Sequence, residues 1–293
     1  MGQRIRERVS KIACAAQHGG RRSVDVKRNR RGEDMRLEGK IGIVTAGGSG
    51  MGRAGATRFA KEGASVAIVD LDGAKAEALA GRLRADHGKV MVIAGDLRRD
   101  EFAREVVSRT VDAFGGLDFV WNHVGHPGPA AVEGVDMSQY ELAMDLNLRS
   151  VLVTTEAAIP HLRARGGGAL LFTASIAGLA GSAYSPIYSM AKFGVVGFVR
   201  SLAKRLAPDH IRVNAVCPGM TDTPMLRTFV ARPDQPSTSN QVPEMVVRQA
   251  VKTVPFGRAA KADEVANAAL FLISDEASYV SGIALPVDGA ATA

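Results

Sequence analysis

Two cysteines, Cys14 and Cys217, are too few for a disulfide framework, and neither has His, Cys or acidic neighbours at metal-ligand spacing. No catalytic metal is therefore expected, and a reducing cytoplasm is the expected setting. No run of 18 apolar residues occurs, so no membrane-spanning helix is expected. The longest early apolar patch, Ile12 to Ala16, is too short for the core of a secretory signal. Arg6 stands where N-myristoylation would need Ser or Thr.

The net charge of +7 is unevenly placed. Residues 1–34 carry ten Lys or Arg against four acids, whereas residues 35–293 carry 27 basic and 26 acidic residues. The body is close to neutral, which argues against a general nucleic-acid or anionic-membrane binder. Residues 1–34 show no sustained periodicity and are read as a basic, disordered N-terminal extension, with a targeting arm or a nucleic-acid contact as alternatives. Residues 35–293 have the texture of a single globular domain.

Short β-branched runs alternate with longer amphipathic stretches from residue 41 onward, the pattern of βαβ units and a parallel sheet. Strands are expected near Ile41–Thr45, Ser65–Asp70, Val90–Gly95, Phe119–Asn122, Ala169–Ala174, Ile211–Val216 and Ile283–Val287. Helices are expected near Gly50–Glu62, Ala74–His87, Glu101–Phe114, Met137–Arg165, Pro186–Ala207 and Ala262–Ile273. Seven strands with helices on both faces predict an α/β, Rossmann-type doubly wound parallel sheet, whose ligand crevice lies at the carboxyl ends of the strands.

The first strand runs into Thr45-Ala46-Gly47-Gly48-Ser49-Gly50-Met51-Gly52 and a helix. Glycines allow a tight turn and close approach of a pyrophosphate, and the helix N-terminus offers unpaired N–H groups and partial positive charge. A literal G-x-G-x-x-G, Gly50 to Gly55, begins inside the helix and is read as coincidence. Asp70 ends the second strand, where a carboxylate can accept from the adenosine ribose hydroxyls and repel a 2′-phosphate. Ser49 and Leu71 offer no cation to such a phosphate, so NAD(H) is expected over NADP(H). Asp72 can cap the next helix, which leaves Asp70 for ribose. Asp96, with Leu97 beside it, is placed near adenine; a helix-capping role is the alternative.

Tyr188 and Lys192 are spaced i, i+4 and share a helical face. A phenol loses its proton near pH ~10, and an adjacent ammonium together with the positive nicotinamide ring is expected to lower that value toward useful base catalysis. Ser175, 13 residues before Tyr188, leaves a strand end toward the same crevice and can hydrogen-bond a reacting oxygen. An isolated Tyr-x-x-x-Lys pair carries little weight. Its force comes from the glycine loop, the strand-end acid and the serine occurring in the order a doubly wound sheet requires.

Residues 35–293 resemble the short-chain dehydrogenase/reductase family. Thr45 to Gly52 is similar to that family's T-G-x-x-x-G-x-G, and Asn122-His123-Val124-Gly125 to its N-N-A-G. Ser175 with Tyr188-Ser189-Met190-Ala191-Lys192 resembles its Ser and Y-x-x-x-K. Asn147 falls at its helix asparagine, and Pro218-Gly219-Met220-Thr221-Asp222-Thr223 resembles its P-G-x-x-x-T. The resemblance implies Ser175, Tyr188, Lys192 and Asn147 as catalytic residues, with Asn147 holding a proton-relay water, Lys192 on the nicotinamide ribose and Thr223 on the carboxamide. It implies cofactor contacts by Gly47, Ser49, Gly50, Met51, Gly52, Asp70, Asp96, Leu97, Asn122, Gly125, Pro218, Gly219 and Thr221, and a homotetramer. Ala46 departs from the family glycine, and Gly47 and Gly48 are expected to take over its flexibility. His123-Val124 replace Asn-Ala; His123 is read as filling a sheet end, or as shaping the pocket with His126.

The expected reaction is reversible oxidation of a secondary alcohol, with hydride passing to nicotinamide and the proton to Tyr188. The loop after Gly125, the segment Ala177–Tyr184 and the Pro-rich stretch from Met220 to about Phe256, read as a lid or specificity loop, are expected to select the substrate. An NADPH-dependent 3-oxoacyl-[acyl-carrier-protein] reductase is the alternative enzyme. A non-catalytic NAD-binding regulatory protein is the alternative of another class.

Overall fold

The computed structural model describes residues 35–230, Arg232, Asp234 and 242–293. The basic extension 1–34, with Cys14, lies outside the described residues, as does part of the Met220–Phe256 stretch.

Seven runs of mostly β-branched and aliphatic residues form parallel strands: β1 (Ile41–Thr45), β2 (Ser65–Asp70), β3 (Val90–Ala94), β4 (Phe119–Asn122), β5 (Gly168–Thr173), β6 (Ile211–Pro218) and β7 (Ala284–Val287). Their spatial order is β3-β2-β1-β4-β5-β6-β7. All six pairings are parallel, with Gly42 beside Val66 on one side and Phe119 on the other. Every residue of β1 is buried, because helices cover both faces of a parallel sheet.

Helices α1 (Gly50–Lys61), α2 (Gly73–Ala85), α3 (Asp100–Phe114), α4 (Met137–Met144), α5 (Ser150–Ala164), α6 (Pro186–Leu206), α7 (Pro224–Val230), α8 (Pro243–Val251) and α9 (Ala262–Ile273) complete the fold. Phe59 of α1, Leu79 of α2 and Leu270 of α9 pack on one face of the sheet. Val106 of α3, Leu162 of α5 and Val199 of α6 pack on the other. The strand order reverses between β1 and β4, which opens a crevice at their carboxyl ends.

Three sequence expectations change. Gly55 has a packing role that the coincidence reading missed: a Cβ there would overlap the Trp121 ring, so the glycine lets α1 lie against β4. The single helix expected over Met137–Arg165 is broken by a π-helical turn, Asp145–Arg149. Its cause is Asn147, whose Nδ2 donates to the Ala143 carbonyl at 2.8 Å and so occupies the acceptor four residues back. Finally, α7 and α8 lie within the stretch read as a loop.

Candidate active site

The turn from β1 into α1 is tight. Ala46 has φ +51°, so the alanine itself takes the left-handed conformation and Gly47 and Gly48 do not relieve it, contrary to expectation. A Cβ on Gly52 would overlap the Ala46 carbonyl oxygen. Ser49 precedes α1 without a side-chain cap, and the first turn holds no acid, so its N–H groups and positive end face the crevice without an internal anion. Across the crevice stands Thr223, about 3.3 Å from where a Gly50 Cβ would lie.

Asp70 is partly engaged by this turn. Its Oδ2 accepts from Gly48 N at 2.8 Å and its Oδ1 from Asp72 N at 2.9 Å. Each oxygen retains a lone pair. Asp72 caps α2 through Lys75 N at 3.0 Å, as expected.

Ser175 follows β5 and Tyr188 and Lys192 lie on the first turns of α6, so all three side chains meet at the same cavity. The Ser175 hydroxyl accepts from Ala177 N at 3.2 Å and lies near enough to the Tyr188 hydroxyl to favour its ionised form. Lys192 Nζ lies 5.4 Å from the Tyr188 ring centre and donates to Thr173 O at 3.0 Å. Asn147 Nδ2 also donates to His126 O at 2.8 Å. The Asn147 Oδ1 and the Lys192 Nζ both reach Gly125, lying 3.0 and 3.3 Å from its Cβ direction.

Burial dominates the electrostatics of the pair. It pushes the Tyr188 phenol up to about 12, against the pull of the nearby Ser175 hydroxyl and of the Arg232 charge. Burial lowers Lys192 to about 8. Burial thus holds both groups toward their neutral forms, and Lys192 keeps its charge below about 8. His123 is lowered to about 3 by burial and by Lys192, and is neutral. It contacts Thr173 Oγ1 at 2.9 Å, packs on Trp121, and lines the cavity, so it fills a sheet end and shapes the pocket together.

The cavity is about 720 Å³. One half is formed by Ser49, Gly50, Met51, Gly125 and the Pro218, Gly219, Thr221, Thr223 loop. The other half is roofed by Met225, Leu226, Phe229 and Val230 of α7 and Val246 and Ala250 of α8. Sequence reasoning missed these two helices and also Arg232. Arg232 is 4% exposed, and its NH groups donate to the carbonyls of Pro127, Gly128 and Tyr184 at 3.0–3.1 Å.

Several expected cofactor residues do not line this cavity. Asp96 binds Arg98, which lowers its carboxyl, and Arg99 holds the N-cap position before α3 with no side-chain cap, so Asp96 is not that helix's cap. The Leu97 side chain is buried in the core. Asn122 turns to Thr155 Oγ1, at 3.3 Å. Gly47 and Gly52 sit behind the turn, each with backbone atoms in the space a Cβ would take. Among the described residues no group of three His, Cys, Asp or Glu gathers in a metal-binding arrangement, and no helix is long and apolar enough to cross a membrane.

The family described as Enoyl-(Acyl carrier protein) reductase matches residues 45–292. The chain is 32% identical to the 3-oxoacyl-[acyl-carrier-protein] reductase FabG of Thermotoga maritima, over 87% of this chain and 98% of that one. It is 33% identical to 2,5-dichloro-2,5-cyclohexadiene-1,4-diol dehydrogenase LinX of Sphingobium indicum, over 87% and 96%. The solved structure of levodione reductase superimposes with a TM-score of 0.81 at 32% identity, over 87% and 98%. With the seven-stranded sheet and the Ser175, Tyr188, Lys192 cluster at its crevice, the chain belongs to the short-chain dehydrogenase/reductase family and is a hydride-transfer oxidoreductase acting on CH–OH groups with a nicotinamide cofactor.

Proposed function

We propose that the protein is an NAD(H)-dependent dehydrogenase for uncharged, apolar secondary alcohols and their ketones, with Tyr188 as the acid/base. The observation that carries this reading is the meeting of Ser175, Tyr188 and Lys192 in one cavity with the bare N-terminus of α1.

The donor set fits a dinucleotide. The first-turn N–H groups at Gly50, Met51 and Gly52, with Ser49, would hold the pyrophosphate, while Gly47, whose N–H donates to Val69 O at 2.9 Å, would shape the turn behind it. Asp70 would accept from the adenosine ribose, and Asp96 and Leu97 would flank adenine, the latter through its backbone. Asn122 and Gly125 would border the nicotinamide ribose, Lys192 would bind it, and Pro218, Gly219, Thr221 and Thr223 would hold the carboxamide. The nicotinamide takes or returns the hydride.

The residues of the chain manage the proton. In oxidation, Ser175 and Tyr188 hydrogen-bond the substrate hydroxyl, and the Tyr188 oxygen takes its proton as the C–H bond breaks; in reduction Tyr188 returns it. Asn147 and Lys192, which both reach Gly125, would relay that proton onward. Among the described residues Lys192 is the charged side chain on the cavity wall, and the roof is aliphatic and aromatic, which supports a neutral substrate. The relative named for a cyclohexadiene diol supports a ring-bearing one. We also infer a cytoplasmic homotetramer, supported by the exposed Leu152, Met190 and Phe193.

The test is initial rates on a panel of cyclic secondary alcohols and ketones, with NAD(H) and NADP(H) supplied separately, for wild type and Tyr188→Phe. NAD-linked turnover lost with the phenol supports the reading. NADPH-linked reduction of a 3-oxoacyl thioester would replace it with the acyl reductase.

A further inference from the structure

Arg232 is a buried cation to which the reaction outlined above gives no role. Its guanidinium carbon lies 4.5 Å from the centre of the Phe229 ring, and that ring meets the Tyr188 ring edge-on at 5.2 Å. The three groups form a stack that ends on the acid/base. The guanidinium is held from three sides by the carbonyls of Pro127, Gly128 and Tyr184, while its Nε has no partner. Among the described residues no carboxylate lies within ion-pair distance of it. Asp234, the nearest acid in sequence, accepts instead from Ala130 N at 2.6 Å.

A buried charge held mainly by carbonyl dipoles and an aromatic face, with Asp234 acting from beyond ion-pair distance, is costly to fold. The compensation is geometric: three fixed acceptors aim a permanent charge at one place, which no deprotonation can remove. The groups that face Tyr188 are Lys192 on its own helix, Cys217 on β6 and Arg232 beyond α7. Asp234 and His126 face Arg232 in turn. Cys217 is raised to about 11 and stays neutral over the working range, and Lys192 discharges near 8. Arg232 is the cation in this set that persists.

We propose that Arg232 is a positioning residue for proton transfer: its fixed charge, set against the active-site tyrosine across the Phe229 ring, favours the Tyr188 phenolate. The role rests on Tyr188 being the acid/base. At the separation of this stack, a partly screened unit charge corresponds to a shift of about one pH unit in the ionisation of Tyr188.

The experiment is the pH profile of kcat/KM for NAD-linked oxidation of the best alcohol in the panel, for wild type, Arg232→Gln and Arg232→Lys. Glutamine keeps a donor for the carbonyls and removes the charge; lysine keeps the charge and loses the fork. The expected result is an acid limb moved up by about one unit in Arg232→Gln, so that the rate on that limb falls about tenfold. Arg232→Lys is expected to move it by less than half as much. A limb unmoved in Arg232→Gln, or a lysine shift of half the glutamine shift or more, overturns the proposal and leaves Arg232 a structural clamp. If the glutamine variant does not fold, Arg232→Met serves as the charge-removing variant and is read by the same shifts. If no alcohol is turned over, the NAD-loaded proteins are titrated by ultraviolet difference absorbance, with Tyr188 identified by Tyr188→Phe. The same shifts then decide the role of Arg232 while the dehydrogenase reading fails separately.

Discussion

The Lys192 ammonium stands 5.4 Å from the centre of the Tyr188 ring and donates a hydrogen bond to the Thr173 carbonyl. The lysine is therefore held by the sheet and presented to the ring face. Both side chains are buried against their charged forms, the amine lowered to about 8 and the phenol raised to about 12.

That burial makes Lys192 a liability for stability. An amine at about 8 in the folded chain and 10.5 unfolded leaves the unfolded state binding more protons between those values, so stability rises with pH from about 8 to 10.5. Below 8 the full penalty, on the order of 3 kcal/mol, applies. Lys192→Met forfeits the bond to Thr173 at a cost of about 1 kcal/mol. Urea unfolding at pH 7 should thus show the variant more stable by about 1–2 kcal/mol, with the advantage gone by pH 10.5. Equal stability at pH 7, or a gap that ignores pH, would contradict the burial argument.

Removing the phenol oxygen should separate chemistry from binding. Tyr188→Phe is expected to lower kcat by about 10²–10⁴-fold while leaving the Kd for NAD within a factor of a few. Calorimetric titration beside steady-state rates checks both; a kcat within tenfold of wild type would place the proton path elsewhere.

Ala46 in the left-handed region carries strain that glycine would not. Ala46→Gly trades about 1–2 kcal/mol of that strain for a larger loss of backbone freedom, and a net gain of about 0.5–1 kcal/mol is expected. Thermal unfolding checks the sign. A lower Tm would show that the turn does not hold this conformation in solution.

Cofactor choice hangs on the end of β2. Leu71 is exposed beside Asp70, so Asp70→Ser with Leu71→Arg replaces a repelling charge by a receiving one. The ratio of kcat/KM for NADP to that for NAD should rise by at least about tenfold. Asp70 also anchors Gly48, and some loss of NAD activity should accompany the switch.

All seven strands were legible because a β-branched run buried on both faces has few other readings, and their ends move by no more than two residues. Tyr188, Lys192, Ser175 and Asn147 were legible from spacing together with family motifs. What escaped had other causes. The prolines of the Met220–Phe256 stretch read as breakers, yet Pro224 and Pro243 each open a helix, where a missing N–H costs nothing. Glu244 in the first turn of α8 and Arg248 in its last were a usable signal. Arg232 left none, because its partners are backbone carbonyls 48 to 105 residues away. The break at Asn147 was hidden for a similar reason: an asparagine side chain competing for a carbonyl does not disturb the hydrophobic period.

The widened turn at Asp145–Arg149 also acts as a gear between two helices that run on as one rod. One surplus residue in a 3.6-residue cycle advances the azimuth of everything after it by roughly 100°. Val151, Ala158 and Leu162 thereby face the sheet while Asn147, a few residues earlier, faces the crevice. Deleting a single residue from the turn would restore a straight helix and force one of those two faces to swing out of phase, so chain length at this point is as constrained as residue identity.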